Sequence, residues 1–120
     1  MQLFRTDRQS RRGGGTAIYL KDSIRVSLVT DPVLVAVPES TWVRIHCPNR
    51  DTLVGVVYRP PTPAHHYDLA LVEAIRKLDH YQHMRIVLMG DFNTPGTSSS
   101  VHCSESLHAE FLAAGLQELV

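Results

Sequence analysis

Short apolar runs broken by glycine, proline and charged residues follow one another along the first half of the chain. Residues 16–20 are β-branched and aromatic and lie between a triple glycine and a Lys-Asp pair, which predicts a strand. A second strand is predicted over 24–29, ending at Asp31-Pro32 because proline removes a ladder donor. In residues 41–46 apolar and polar side chains alternate, which predicts a half-buried strand.

Two nearly continuous apolar runs, at 53–58 and 85–90, are typical of inner strands. Turn-forming residues precede the first run, so 41–46 and 53–58 are predicted to form a hairpin. The Arg-Pro-Pro-Thr-Pro segment that follows cannot continue in a ladder. The chain must therefore leave the sheet just after Tyr58, which places Tyr58 at a strand end.

Helical spacing appears later in the sequence. Leu71, Val72, Ile75 and Leu78 share one face of a predicted amphipathic helix over about 68–78. A last helix is predicted over 104–114, with Gly115 as its C-cap. The pattern predicts an α/β fold in which several consecutive antiparallel strands precede the first helix.

Composition narrows the class of protein. With 120 residues and 43% hydrophobic content, the chain is predicted to form one globular domain. No apolar run approaches the roughly 20 residues of a membrane span, and the N-terminus lacks a secretory signal, so an intracellular, non-membrane protein is predicted. Two cysteines without regular spacing, Cys47 and Cys103, indicate free thiols.

Charge by itself gives no sign of a nucleic-acid partner, because twelve basic and twelve acidic residues cancel. Its distribution is less even. Arg5, Arg8, Arg11 and Arg12 crowd the first dozen residues against one acid, Asp7. This stretch is a candidate for phosphate contacts; the alternative is a solvated, poorly ordered N-terminal arm.

Candidate chemistry lies at the two inner strand ends. Asp91 and Asn93, two positions apart, are predicted to share a face of the extended strand end. Phosphodiester hydrolysis uses such a pair, a carboxylate that aligns water or binds a divalent cation beside a hydrogen-bonding amide; the alternative is that both cap a turn. Tyr58 and Arg59 could donate hydrogen bonds to a phosphate, although a strand-terminal tyrosine is more often a packing residue.

Four separated segments together resemble one family. In the endonuclease domains of non-LTR retrotransposon polyproteins, within the endonuclease/exonuclease/phosphatase family, the corresponding blocks read R-x-D-R with R-x-G-G-G-V-A-I-Y, E-x-x-W-V, V-G-V-V-Y-R-P-P and I-V-L-x-G-D-F-N. Here they read FRTDR and RRGGGTAIY within 4–19, ESTWV at 39–43, VGVVYRPP at 54–61 and IVLMGDFN at 86–93. Order and spacing agree, and GLQELV at 115–120 resembles the family's G-L-x-Q-L-V.

The resemblance implies a four-layer, DNase I-like α/β sandwich with mixed, mainly antiparallel sheets and outer helices. It also implies Mg²⁺-dependent hydrolysis of a DNA phosphodiester. The family's roles would fall on Asp91 for the attacking water, on Asn93 for fixing that carboxylate and contacting metal or phosphate, and on Tyr58 for the scissile phosphate. Arg11, Arg12 and Arg59 are weaker candidates for DNA contact. A nuclear location and a reverse transcriptase domain in the parent polyprotein are implied as well.

The chain departs from the family at both ends. The family's first strand, with its metal-binding Glu, lies upstream of the first block, and its closing Ser-Asp-His segment lies downstream of the last. Residues 1–120 are therefore expected to be one partial domain. The isolated chain is expected to bind DNA weakly without turnover, and the second hypothesis is a non-catalytic remnant of such a domain.

Other readings of the residues are weaker. Glu39 could replace the missing metal carboxylate, but the resemblance puts it before the Trp42 strand, where it is expected to face solvent. His80 and His83 with Cys103 lack the paired spacing of a zinc site. The P-x-x-P at 60–63 could dock on an SH3-type domain, although the same prolines serve to take the chain off the sheet.

Overall fold

A computed structural model describes residues 1–7, 15–61 and 65–93. The helices and strands in these ranges are, in chain order, β1 (Gln2–Thr6), β2 (Thr16–Leu20), β3 (Val26–Leu28), α1 (Pro32–Val35), β4 (Ser40–Ile45), β5 (Thr52–Tyr58), α2 (His65–Lys77), a 3₁₀ turn (Leu78–Tyr81) and β6 (Arg85–Asp91). None of the helices in this part of the chain is long and apolar enough to span a membrane. The helix predicted over 104–114 lies outside the described residues.

One four-stranded sheet organises the fold, in the order β3-β4-β5-β6. The predicted hairpin is confirmed, because β4 and β5 pair antiparallel from Ser40 opposite Val57 to Ile45 opposite Thr52. Strands β5 and β6 are parallel, and α2 makes the crossover that parallel strands need. The predicted α/β fold with mainly antiparallel strands is therefore confirmed.

The N-terminal segment is a strand, which the sequence pattern did not predict. Residues of β1 pair antiparallel with β2, with Phe4 opposite Ile18. Phe4 packs with Ile18 against the four-stranded sheet, whereas Leu3 and Arg5 are exposed. These five residues mix polar and apolar side chains and give no clear strand signal by themselves. Pairing with β2 therefore makes this segment extended.

Apolar side chains pack on both faces of the four-stranded sheet. On one face α1, α2 and the 3₁₀ turn cover a cluster that includes Trp42, Leu53 and Leu71. On the other, the β1–β2 hairpin covers Val43 and Val54. Strand β4 is consequently buried on both faces from Ser40 to Val43, more than its alternating pattern predicted.

Three threonines, of which Thr16 and Thr41 are buried and Thr6 is half-buried, join the hairpin to the sheet. The hydroxyl of Thr41 lies 2.7 Å from that of Thr16 and donates to Thr6 Oγ1 at 3.1 Å. Such hydrogen bonds satisfy polar atoms that burial would otherwise leave unpaired. The residues just before and just after the undescribed segment 8–14 are thus fixed to β4.

Asp31 begins α1 and also contacts the 3₁₀ turn. Its carboxylate accepts hydrogen bonds from the Val33 N–H at 2.9 Å and the Tyr81 hydroxyl at 2.6 Å, and Pro32 occupies the first helical turn. Partial burial raises the pKa of Asp31, but these hydrogen bonds and the charge of Lys77 outweigh it and hold the pKa below 3.8. Tyr81 responds in the opposite sense, because burial and the Asp31 carboxylate raise its pKa to about 12.

We expect this carboxylate to make folding stability fall in acid. Because its pKa is lower in the folded chain, its contribution is complete above pH 3.8 and is lost as the pH falls through the folded-state pKa. Urea midpoints measured between pH 6 and pH 2 should fall less for Asp31→Asn, which keeps a capping side chain, than for the wild type. Asp79→Asn, at an exposed position, is the control and should follow the wild type.

Candidate active site at the ends of β5 and β6

The carboxyl ends of the two parallel strands meet at one edge of the sheet. Tyr58, the last residue of β5, is the register partner of Asp91, the last residue of β6. The pairing continues one step further, since the Arg59 N–H donates to the Asp91 carbonyl at 2.8 Å. On the other side of β5, the Tyr58 N–H donates to the carbonyl of Glu39 at 3.0 Å. In open α/β sheets this edge commonly carries a binding site.

Asp91 and Asn93 come together through a turn and not along an extended strand. Asn93 has a φ of 45°, a left-handed conformation that asparagine tolerates. Its N–H donates to Asp91 Oδ1 at 3.0 Å, and its Nδ2 donates to the Arg59 carbonyl at 2.5 Å. The expectation that both side chains project from one face of an extended strand is therefore wrong, because the chain turns immediately after Asp91. The alternative interpretation of the same two residues, that they cap a turn after the strand, agrees with this geometry.

The side chain of Arg59 lies in the interior, only 2% exposed. Its Nε and Nη2 donate to the two oxygens of Asp68 at 2.8 and 3.0 Å. Its Nη1 donates to the carbonyls of Phe92 and Asn93 at 3.0 and 2.9 Å. A guanidinium engaged in this way is not presented to a DNA strand, so the structure favours a role for Arg59 within the protein in place of the predicted phosphate contact.

Tyr58 is held from the helix side by Tyr67. The Tyr67 hydroxyl donates to the Tyr58 carbonyl. Burial of Tyr67, together with the nearby charge of Glu39, raises the pKa of the Tyr67 phenol, so it remains a donor throughout the physiological pH range. Tyr58 itself is half-buried at the strand end.

Glu39 lies closer to this edge than the sequence suggested. It was expected to face solvent, but it is half-buried, its carbonyl accepts from Tyr58, and its charge acts on Tyr67. Its φ of 56° is unusual for a residue with a side chain. Nothing in a single sequence signals such a conformation, which occurs just before the start of β4.

The exposed carboxylate of Asp91 and the amide oxygen of Asn93 are oxygen donors at this edge. Within the ranges that the structure describes, no group of three or more His, Cys, Asp or Glu side chains could hold a metal ion. One carboxylate and one amide oxygen nevertheless fit Mg²⁺, which commonly binds one or two carboxylates and keeps several waters. The donor chemistry therefore suits a hard cation.

Several of the predicted sites lie wholly or partly outside the described ranges. Arg11, Arg12 and Cys103 are among them, as is Pro63 of the P-x-x-P segment. His80 and His83 are exposed after α2. The phosphate contacts of Arg11 and Arg12, the zinc alternative and the SH3 alternative therefore stay predictions, whereas Cys47 is an exposed free thiol as predicted.

Comparison with known proteins identifies the family. The model of the endonuclease/exonuclease/phosphatase family matches residues 3–102, so the chain belongs to this family, as its motifs predicted. Among solved structures it is similar to the endonuclease domain of TRAS1, a telomere-specific non-LTR retrotransposon, with a TM-score of 0.70 and 17% sequence identity. That match covers 98% of this chain and 54% of the other, so the chain spans about half the length of this structural neighbour. No curated protein matches the sequence.

Proposed function

We propose that Tyr58, Asp91 and Asn93 belong to a site that hydrolyses DNA phosphodiester bonds with Mg²⁺. The observation that carries the proposal is the register of Tyr58 with Asp91 at the ends of two parallel strands, beside the turn that holds Asn93. Membership of a family of nucleases and phosphatases supports this class of reaction. The exposed carboxylate supplies the chemistry that this class needs.

Each side chain has a distinct proposed role. Asp91 Oδ1 is held by the Asn93 N–H, which leaves Oδ2 to accept a hydrogen bond from the attacking water and orient it. The amide of Asn93, fixed through its Nδ2 on the Arg59 carbonyl, directs its oxygen to the metal or the phosphate. The Tyr58 phenol donates a hydrogen bond to a non-bridging phosphate oxygen.

Asp91 and Asn93 would hold the Mg²⁺ ion together with a phosphate oxygen of the substrate. When bound, such an ion supplies positive charge to the phosphate in the transition state. The protein contributes a rigid placement of both ligands, since each is hydrogen-bonded to the end of β5 or to the other.

The motifs and the likeness to the retrotransposon endonuclease domain support a proposal about the parent protein. We propose that residues 1–120 are part of a larger domain of this type, which nicks a chromosomal target and acts with a reverse transcriptase domain of the same polyprotein. A nuclear location would follow from that role. The second candidate is a non-catalytic remnant, favoured by the small number of metal ligands among the described residues.

The proposed site predicts that Mg²⁺ strengthens the binding of this chain to a short DNA duplex. We expect an increase of about tenfold, which corresponds to roughly 1.4 kcal/mol. The increase is diagnostic, because Mg²⁺ otherwise competes with basic side chains for phosphates and weakens binding. Fluorescence anisotropy at constant ionic strength, with Mg²⁺ or with EDTA, measures it.

Asp91→Ala should lose this Mg²⁺ dependence, whereas Asp79→Ala, on the exposed surface after α2, should keep it. A folded wild-type chain whose DNA affinity is unchanged or lowered by Mg²⁺ would contradict the proposed site. Nicking of supercoiled plasmid then separates the two candidates. Metal-dependent nicking that is lost in Asp91→Ala identifies an active endonuclease, and DNA binding without nicking supports the remnant.

A further inference from the structure

The first turns of α2 contact the chain at the end of β5, beside the candidate site. Tyr67 and Asp68 are consecutive residues of this helix, and they act on consecutive residues of the chain leaving β5. Tyr67 donates to the Tyr58 carbonyl, and Asp68 binds the Arg59 side chain. We propose that Asp68 is a positioning residue of the site, acting through Arg59; this inference rests on the function proposed above.

Asp68 fixes the plane of the Arg59 guanidinium. The two side chains form a bidentate pair, with Nε on Oδ1 at 2.8 Å and Nη2 on Oδ2 at 3.0 Å. Two parallel hydrogen bonds set the orientation of a guanidinium as well as its position. The pair is shielded from water, with Arg59 2% and Asp68 19% exposed, so it is little screened.

The oriented guanidinium in turn fixes the segment from Asp91 to Asn93. Its remaining edge donates through Nη1 to the carbonyls of Phe92 and Asn93. The backbone of Arg59 holds the same segment, with its N–H on the Asp91 carbonyl and its own carbonyl on Asn93 Nδ2. Arg59 therefore binds every residue from Asp91 to Asn93 by at least one hydrogen bond.

This arrangement explains how the left-handed conformation of Asn93 is fixed. A residue other than glycine at positive φ persists only where its surroundings determine it. The Asn93 carbonyl is oriented by Arg59 Nη1, and its side chain by the Arg59 carbonyl. Without Asp68 the guanidinium would lose the partner that aims Nη1 at these carbonyls, and the turn that presents Asp91 and Asn93 would relax.

The test compares Asp68→Asn with Glu73→Gln. Both changes remove one negative charge from α2, but the ion pair that Glu73 makes among the described residues is an exposed one with Arg76, on the same helix. In Asp68→Asn we expect the NMR resonances of the Asp91 and Asn93 amides, and of the Asn93 side-chain NH₂, to shift. The Mg²⁺ concentration that half-maximally promotes DNA binding should rise about 10–100-fold, as when a group that orients a metal ligand is removed. Glu73→Gln should change neither.

Arg59→Lys is the second variant and covers the case in which Asp68→Asn does not fold. Lysine keeps the positive charge opposite Asp68 but lacks the planar fork that also reaches two carbonyls. We expect the same shifts at Asp91 and Asn93 in this variant. A folded Asp68→Asn or Arg59→Lys chain with wild-type resonances at these residues would overturn the inference. If instead the wild type shows no Mg²⁺-promoted DNA binding, the proposed function fails, and the resonance comparison still decides whether Asp68 positions the turn.

Discussion

Replacement of Gly90 by alanine is expected to destabilise the chain by about 3 kcal/mol or more, because it combines strain with a direct clash. Gly90 has a φ of 141°, a conformation that side chains rarely adopt. A Cβ at this position would lie 1.8 Å from the carbonyl oxygen of Val57 on the adjacent strand. The oxygen belongs to the backbone of β5, so relief requires β5 and β6 to separate just before Tyr58 and Asp91.

Urea denaturation followed by circular dichroism measures the effect as a lower midpoint at unchanged slope. Met89→Ala is the matched control, since the neighbouring Met89 is 48% exposed and its truncation should cost less than about 1 kcal/mol. A Gly90→Ala chain as stable as Met89→Ala would mean that the two strands do not approach so closely here. A destabilised chain would also be expected to lose the Mg²⁺-promoted DNA binding, because the clash lies one residue from Asp91.

The second large effect is expected for Arg59→Met, which should destabilise the chain by about 3–5 kcal/mol, the usual cost of removing one partner of a buried ion pair. Methionine fills much of the space of the arginine stem. It leaves the Asp68 carboxylate without its cation and the Phe92 and Asn93 carbonyls without their donor. The loss thus comes from unpaired polar groups and not from a cavity.

Arg44→Met provides the contrast. Arg44 also pairs with an aspartate, with its Nε 2.7 Å from Asp51 Oδ2, but its side chain is 41% exposed. Water can replace the lost contact there, so we expect a cost of at most about 1 kcal/mol. Equal unfolding free energies for the two variants would show that Arg59 is not buried as described. Recovery of part of the lost stability by Asp68→Leu in the Arg59→Met background would confirm that the unpaired carboxylate contributes to the cost.

Gly90→Ala and Arg59→Met change different contacts at the same edge of the sheet, where β5 and β6 end. Gly90 allows β6 to approach β5 at the last step before the site, and Arg59 holds the chain after β6 has ended. Both act on Asp91 through the backbone that carries it. The position of the carboxylate is therefore set by packing and hydrogen bonds that reach it from β5 and α2.

Much of the sheet could be predicted because its signals are local. The apolar run before Tyr58 and the prolines after it indicate an inner strand and its end, and β5 ends at Tyr58 as predicted. The run before Asp91 gave β6 in the same way. The predicted start of α2 was less accurate. The helix begins at His65, three residues earlier than predicted, because its first turn has few apolar residues at helical spacing.

Other features could not be predicted, because a partner distant in the sequence determines them. Residues 2–6 become a strand by pairing with β2, across a segment that separates them in sequence. The burial of Arg59 depends on Asp68, which lies on a helix, and on carbonyls more than thirty residues away. From the sequence alone, an arginine beside a candidate phosphate ligand looks like another phosphate ligand.

By itself the sequence determined the family, the α/β class, the inner strands and the residues at their ends, because these follow from motifs and from periodicities within a few residues. The tertiary structure alone decided how those ends are arranged. It placed Tyr58 in register with Asp91, bent the chain at Asn93 and buried Arg59 against Asp68. These features depend on contacts between β5, α2 and β6, and such contacts exist only after the strands have paired and the helix has packed on the sheet.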